Sequence, residues 1–297
     1  MSSLDADTAP IDALNLPTTI TEPDEGLESK EATIGEDGIP LLKTFAAHDD
    51  DARAEGLHIV ADSVAQQRNI GSRAIIFHPI FLAVLVAAVG TLTQIFNDQY
   101  GRNWILIGTT TIGVVMAMLG AIRMLLGPYI FEAERIGTWK WLNQGRSAEE
   151  QEETGLKVLD EVDEVLITKF GDEFIGSIIF RGVQPISPAS PGTNKRTRRA
   201  QSPTKHTRMV IRAWSVKQKY RRKEVGSALL EEAMKVGQEK GWIQDGVEIA
   251  KDHANSKRVL PAIFNGALDK FDQIAQKTLD KKLDEVDRAQ EKGRKRK

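Results

Sequence analysis

Two apolar runs, Ala74–Phe96 and Trp104–Leu126, stand out from a mostly polar chain and are parted only by the short polar stretch Asn97–Asn103. Each predicts a helix long enough to cross a bilayer core, since about 20 residues rising ~1.5 Å apiece cover roughly 30 Å. Upstream, Leu57, Val60, Ala61 and Val64 recur at helical spacing within Asp51–Arg68 and predict an amphipathic helix leading into the first run. Downstream, Gly127-Pro128 precedes Tyr129–Leu142, where Ile130, Ala133, Ile136 or Gly137, and Trp141 form a second helical stripe. Trp139 and Trp141 there suit a membrane interface.

The period then changes. Val165–Ile167 and Phe174–Phe180 are β-rich runs around the turn signal Gly171-Asp172-Glu173. A further strand is predicted over Arg208–Val216 and a helix from about Val225 to Lys240, ended by Gly241. Val247–Ala250 reads as a short strand, after which Asn255 or Ser256 can cap a helix running to about Asp272. The expected fold class is α/β, a mixed sheet with flanking helices, joined to a two-helix transmembrane hairpin and a disordered N-terminal tail.

This layout divides the chain into an acidic tail (1–50), a membrane unit (51–145) holding the amphipathic helix, the spans 74–96 and 104–126 and a juxtamembrane helix, an α/β domain (160–272), and a charged, solvated tail (273–297). Gly145–Thr154 is expected as a charged linker and 184–205, rich in Pro, Ser, Thr and Arg, as a flexible insertion. Met1–Thr44 is acidic, carries Pro10, Pro17, Pro23 and Pro40, and lacks the pattern of a signal peptide, so insertion would rest on the hairpin. Arg68, Arg73, Arg123, Arg135 and Lys140 flank the spans, whereas Arg102 in the connecting loop is offset by Asp98. That asymmetry predicts a two-pass membrane protein with both termini cytosolic. Ala83, Ala87, Gly90 and Thr91 in one span, and Gly113 and Gly120 in the other, are expected to let the helices approach, and His78 is read as interfacial.

Charge and composition narrow the chemistry. The net charge of −2 conceals an acidic N-terminus and basic stretches at Lys195–Arg208 and Arg294–Lys297. The first basic stretch has no interleaved aromatics, so contact with anionic membrane lipids is expected rather than nucleic-acid binding, with Ser187, Ser190 and Ser202 as candidate phosphorylation sites that would weaken it; a merely solvated loop is the other reading. Without cysteine there is no disulfide framework, thiolate metal site or thiol nucleophile, and no metal is expected.

The chemically informative stretch is Met209–Gly241: a strand, a basic turn, and a helix opening Val225-Gly226-Ser227. Amide groups at such a helix start lack partners and face any anion placed there, and a glycine admits a phosphate close to the backbone. This stretch resembles the acetyl-CoA-binding motif of the GNAT acetyltransferase superfamily, Arg/Gln-x-x-Gly-x-Gly/Ala after a strand, here Arg221-Arg222-Lys223-Glu224-Val225-Gly226. The resemblance covers roughly Asp160–Asp272 and implies acetyl-CoA as co-substrate, bound by Val216, Arg221, Arg222, Lys223, Val225, Gly226 and Ser227. Val216 falls where that family's strand splays from its neighbour. The hairpin ahead of the domain is similar to the arrangement of camello-like membrane-bound N-acetyltransferases. Together these imply direct transfer of an acetyl group to a primary amine on the cytosolic side.

Two positions depart from the family pattern. Glu224 stands at its first glycine, and a carboxylate ~5 Å from a phosphate at an effective dielectric near 20 costs ~3 kcal/mol, which Arg221, Arg222 and Lys223 could offset. The tyrosine that often serves as general acid in the last helix is missing; Phe264 stands near its place. His253 and Asp252, after the Val247–Ala250 strand, are the candidate base residues, with Asn255 as a hydrogen-bond partner, unless Asp252 and Asn255 simply cap the next helix. These departures motivate an alternative, a catalytically inactive scaffold or cargo-assembly protein of the same fold. The Arg294–Lys297 terminus faintly resembles a dibasic retrieval signal, which points to the endoplasmic reticulum or another endomembrane.

Overall fold

The computed structural model describes residues 42–101, 103–186 and 206–295. Among these, six strands form one sheet: β1 (Leu42–Ala46), β2 (Leu156–Val158), β3 (Glu164–Phe170), β4 (Glu173–Pro185), β5 (Arg208–Val216) and β6 (Val247–Ile249). The order is β1-β3-β4-β5-β6, with β2 pairing the far end of β4. Every pairing is antiparallel except β5–β6. Gly171, at φ 59°, makes the β3–β4 turn expected from the sequence.

One sheet face carries α1 (Asp50–Ile76), α4 (Pro128–Ile136) and α5 (Trp139–Leu142); the other carries α7 (Val225–Glu239) and the outer part of α8 (Gly266–Lys295). Leu57, Val60 and Val64 of α1 pack on Val165, Ile167 and Ile179 of the sheet, together with Ala133 and Ile136 of α4. Opposite them, Leu229, Leu230 and Ala233 of α7 bury against Phe180, Met209 and Ile211. The stripe Leu57, Val60 and Val64 therefore serves the sheet.

Several boundaries differ from the sequence reading. Leu42–Ala46, within the stretch expected as tail, pairs with β3 from Leu42↔Phe170 to Ala46↔Leu166, because β3 offers it an edge, and Thr44 Oγ1 meets Thr168 Oγ1 at 2.9 Å across the pair. α1 continues to Ile76, and the first apolar helix, α2, starts only at Pro79, where the His78 side chain accepts from the Ile80 amide. The predicted Tyr129–Leu142 helix breaks into α4 and α5 at Gly137-Thr138. The expected linker contains α6 (Ala148–Thr154), nucleated by a capping box between Ser147 and Glu150. Asn255 and Ser256 start no helix. Instead the chain runs through a 3-10 turn at Ala262–Phe264 into α8, which extends through most of the supposed tail because Leu279 is fully buried and Leu283 and Val286 pack beside it. Gln184 and Pro185 belong to β4; the rest of the expected insertion lies in 187–205, with Ser187, Ser190, Ser202 and Lys195–Lys205, outside the described residues. Arg208, at the end of the basic stretch, pairs with Asp245 and Glu248.

A buried charge cluster fixes the frame around the site. The Asp163 carboxylate receives Arg181 at 2.8 Å, Arg212 at 2.6 Å, and Arg146. Arg212 also donates to the carbonyls of Trp141 and Leu142 and lies 4.2 Å from the Trp141 ring centre. Burial, with like charge nearby, lowers Arg181 to about 10 despite Asp163. Arg212 is the extra residue of a β-bulge, since Ile179 pairs Ala213 while Phe180 pairs Ile211.

The chain leaves this body at Ile76 and returns at Leu126. α2 (Pro79–Tyr100) and α3 (Trp104–Leu125) are long and apolar enough to cross a membrane, and among their described side chains only Ile122 is buried. A Cβ at Gly90, Gly113 or Gly120 would meet no atom within 4 Å, so these glycines are not the close-approach points expected of them. Where the hairpin joins the body, Phe81, Ile122 and Leu126 pack with Ile75, Tyr129, Leu260 and Leu268.

Candidate functional site

β5 and β6 are joined only from Met209↔Val247 to Ile211↔Ile249; beyond that, β5 runs on to Val216 without its neighbour. Two bonds close the narrow end of the gap, Ala250 N–H to Ile211 O at 2.8 Å and Ala254 N–H to Arg212 O at 2.8 Å. On the other side of β5, the Lys217 amide bonds Ile175 of β4. By alternation the main-chain groups of Val216 then face the gap. The gap is a cleft of about 530 Å³, walled by Trp214 and Val216 of β5, Ile249 of β6, Gln67 of α1, and Phe271 and Asp272 of α8.

At its β5 end stands the turn into α7. Arg221 lies half-buried in the cleft wall, where Nε donates to Val216 O at 2.9 Å and Nη2 to Gln66 Oε1 of α1 at 3.0 Å. Burial lowers its guanidinium from the ordinary value. A carbonyl has two lone pairs, so Val216 O can accept again. Arg222 and Glu224 both adopt φ near +60°, the conformation a glycine would take freely, and Glu224 precedes the right-handed Val225. An αL–αR pair of this kind turns successive N–H groups into a concave nest that suits an anion. No side chain caps α7, and its first helical bond is Ala228 N–H to Glu224 O, so the amides of Val225, Gly226 and Ser227 come before the ladder begins. A Cβ on Gly226 would lie 3.4 Å from Trp214 and 3.6 Å from Val216, which ties the helix start to the cleft wall. The Glu224 side chain is exposed and outside the cleft lining, as are those of Arg222 and Lys223.

The other end is built of side chains. His253 lines the cleft, its Nδ1 3.0 Å from Ala250 O and its Nε2 3.7 Å from Asp272 Oδ1. Burial raises the Asp272 carboxyl, but His253 and Arg258, whose guanidinium contacts Asp272, outweigh that and hold it below its usual range. Asn255 turns away from His253 toward α1, accepting from Gln67 Nε2 at 2.9 Å and exchanging a hydrogen bond with Ser63. Asp252 is exposed and does not line the cleft. Phe264 stacks edge-on against His78 at 4.9 Å, outside the lining. None of the described lining residues is a tyrosine: Tyr129 is buried beside the hairpin and Tyr220 donates to Glu173. Sequence reasoning missed Gln67, Phe271 and Asp272, which reach the cleft from helices outside the motif.

The family model of the acetyltransferase (GNAT) family matches residues 131–260, which supports an acyl-CoA acetyltransferase of that general kind. No curated protein and no solved structure matches the chain. The match begins inside α4 and stops before α8, yet β1 and α1 complete the same sheet and packing layer from across the hairpin.

Proposed function

We propose that this chain is a membrane-anchored, acetyl-CoA-dependent N-acetyltransferase, with the hairpin crossing the bilayer and the sheet domain and both termini on the cytosolic side. The observation that carries the reading is the splayed β5–β6 cleft meeting the uncapped start of α7. A diphosphate fits the amides of Val225, Gly226 and Ser227, and the pantetheine amides fit the unpaired edge of β5 at Val216. Arg221 holds the turn against that edge, and Arg222 and Lys223 add positive charge outside it. The basic flanks of the spans support the orientation.

The chemistry is direct transfer. The amine nitrogen attacks the thioester carbonyl, the new C–N bond replaces the C–S bond, and coenzyme A leaves as a thiolate that takes a proton. His253 can accept the proton released by the amine, with Asp272 stabilising the imidazolium that results. Asp252 has no part in this reading, because it stands outside the cleft. With no tyrosine among the described lining residues, the thiolate takes its proton from water or from His253. The same absence favours a second reading, an inactive scaffold that keeps the fold and binds no acetyl-CoA.

Titration of the detergent-purified full chain with acetyl-CoA separates the two. Saturable binding is expected, reduced about a hundredfold or more in Gly226→Trp at an unchanged melting temperature; the indole would cover the amides and lose charge-assisted hydrogen bonds worth about 1.5–3 kcal/mol each. No binding by the natural chain would overturn the enzyme reading.

A further inference from the structure

The two ends of the cleft differ in what lies behind them. Ile70 of α1 and Leu268 of α8 line it and belong to the apolar cluster that also holds Phe81 of α2 and Ile122 and Leu126 at the end of α3. One wall of the cleft is thus continuous with the base of the two bare helices. The Phe264 ring, set against His78 at the start of α2, fixes the Ala262–Phe264 turn to the point where the hairpin leaves the body. Ile263, next to Phe264, is 64% exposed, and along α8 Phe271, itself a lining residue, is 46% exposed and Ile274 60%, large apolar side chains left open on the surface.

The charges on α8 complete the pattern. Lys270, Ile274 and Lys277 follow one another at intervals of four and three, so they share a side of the helix, with Phe271 next to it; Lys281, four residues on, pairs with Glu285 at 3.9 Å. Apolar side chains backed by lysines on one helix side match a bilayer boundary, where rings and branched chains enter the acyl layer and ammonium groups meet anionic headgroups. No such side is needed for an acceptor arriving from water.

We infer that the acceptor end of the cleft opens at the membrane interface and takes a primary amine carried by an amphiphile partitioned in the lipid. This rests on the acetyltransferase reading. The amine would reach His253 and Asp272, and the apolar body would lie along Ile70, Leu268 and Phe271 toward the base of the hairpin. The proton and acyl group move as in direct transfer; only the route of the acceptor is new.

The test uses the full chain reconstituted in phosphatidylcholine vesicles containing phosphatidylserine, with acetyl-CoA and two amines that differ only in chain length, butylamine and dodecylamine. Release of coenzyme A is followed, and acetyl-CoA binding is measured separately. Dodecylamine is expected to show a kcat/KM at least about a hundredfold higher, since its longer chain takes more apolar surface out of water. The double variant Ile263→Asp, Ile274→Asp should lower that value about tenfold, leaving butylamine turnover and acetyl-CoA affinity unchanged. Partitioning of dodecylamine alone would not produce the variant effect. Equal kcat/KM for the two amines, an unaffected double variant, or acetylation of soluble peptide amines with neither alkylamine accepted would each overturn the inference while sparing the enzyme reading. Failure to bind acetyl-CoA would remove both, and is read independently.

Discussion

The two ends of the cleft are made of different material. At the α7 end the available groups are main chain: the free edge of β5 at Val216 and, just beyond the lining, the amides of Val225–Ser227 at the uncapped helix start. At the α8 end they are side chains: His253, Asp272, Arg258, and the Gln67–Asn255 pair that ties the segment to α1. A main-chain site tolerates substitution wherever the backbone path survives, which is how Glu224 can stand at a glycine position with its carboxylate turned outward. A side-chain site has no such tolerance, because each change of residue alters the chemistry. On the proposed function the α7 end takes the donor and should be the conservative half of the molecule, and the α8 end takes the acceptor and sets specificity.

The sharpest way to test that division is to alter the acceptor end alone. His253→Ala should lower kcat about a hundredfold, the scale of a lost general base, without changing acetyl-CoA affinity in a direct titration. A loss of acetyl-CoA affinity equal to the loss of rate would mean that the ends are not separable. His253→Gln, which keeps a hydrogen-bonding group but cannot take up the proton, should behave like alanine in rate.

How much of this was legible from residues alone follows the same division. The strand–turn–helix at Met209–Gly241 could be read because its signals are local: a β run, a basic turn, and an amphipathic helix ended by Gly241. The hairpin was legible for the same reason, length and apolarity being properties of a single segment. What escaped was non-local. Leu42–Ala46 becomes a strand only because β3 offers it an edge, and its five residues have too little pattern to announce themselves beside an acidic, proline-rich stretch. The end of α8 was read as solvated because charges dominate it, yet Leu279, Leu283 and Val286 keep a four-and-three spacing that does carry the signal of a packed helix. Asp272 reaches His253 from the other side of the 3-10 turn, a pairing that no sequence spacing encodes.

An acid titration probes the acceptor end in a second way. Asp272 has a carboxyl held below its ordinary value of 3.8 by His253 and Arg258. A depressed carboxylate adds stability that is complete above the unfolded value and is lost as pH falls through the folded one. Asp272→Asn should therefore lower the melting temperature near neutrality by a few degrees; the difference should begin to close below about pH 4 and vanish only once pH has fallen past the lower folded value. Since Asp272 is partly exposed and solvent screens it, the effect should be modest. A difference that persisted unchanged at low pH would mean that the ion pairs do not hold α8 to the cleft.

The smallest expected effect belongs to the donor end, and it runs in the favourable direction. Glu224 occupies a left-handed conformation at φ 62° and ψ 0°, which costs a non-glycine residue on the order of 1 kcal/mol. Glu224→Gly removes that strain, and the gain is partly offset by the greater freedom glycine brings to the unfolded chain. It also removes a negative charge near the amides proposed to hold the diphosphate. Stability should rise by about 0.5 kcal/mol or less, and acetyl-CoA affinity should rise a few-fold at low salt. Because the carboxylate is solvent-exposed, the affinity gain should shrink as ionic strength increases. A gain of a hundredfold, or one insensitive to salt, would mean that the Glu224 carboxylate reaches into the cleft when the co-substrate arrives, and the donor end would then be a side-chain site like its counterpart.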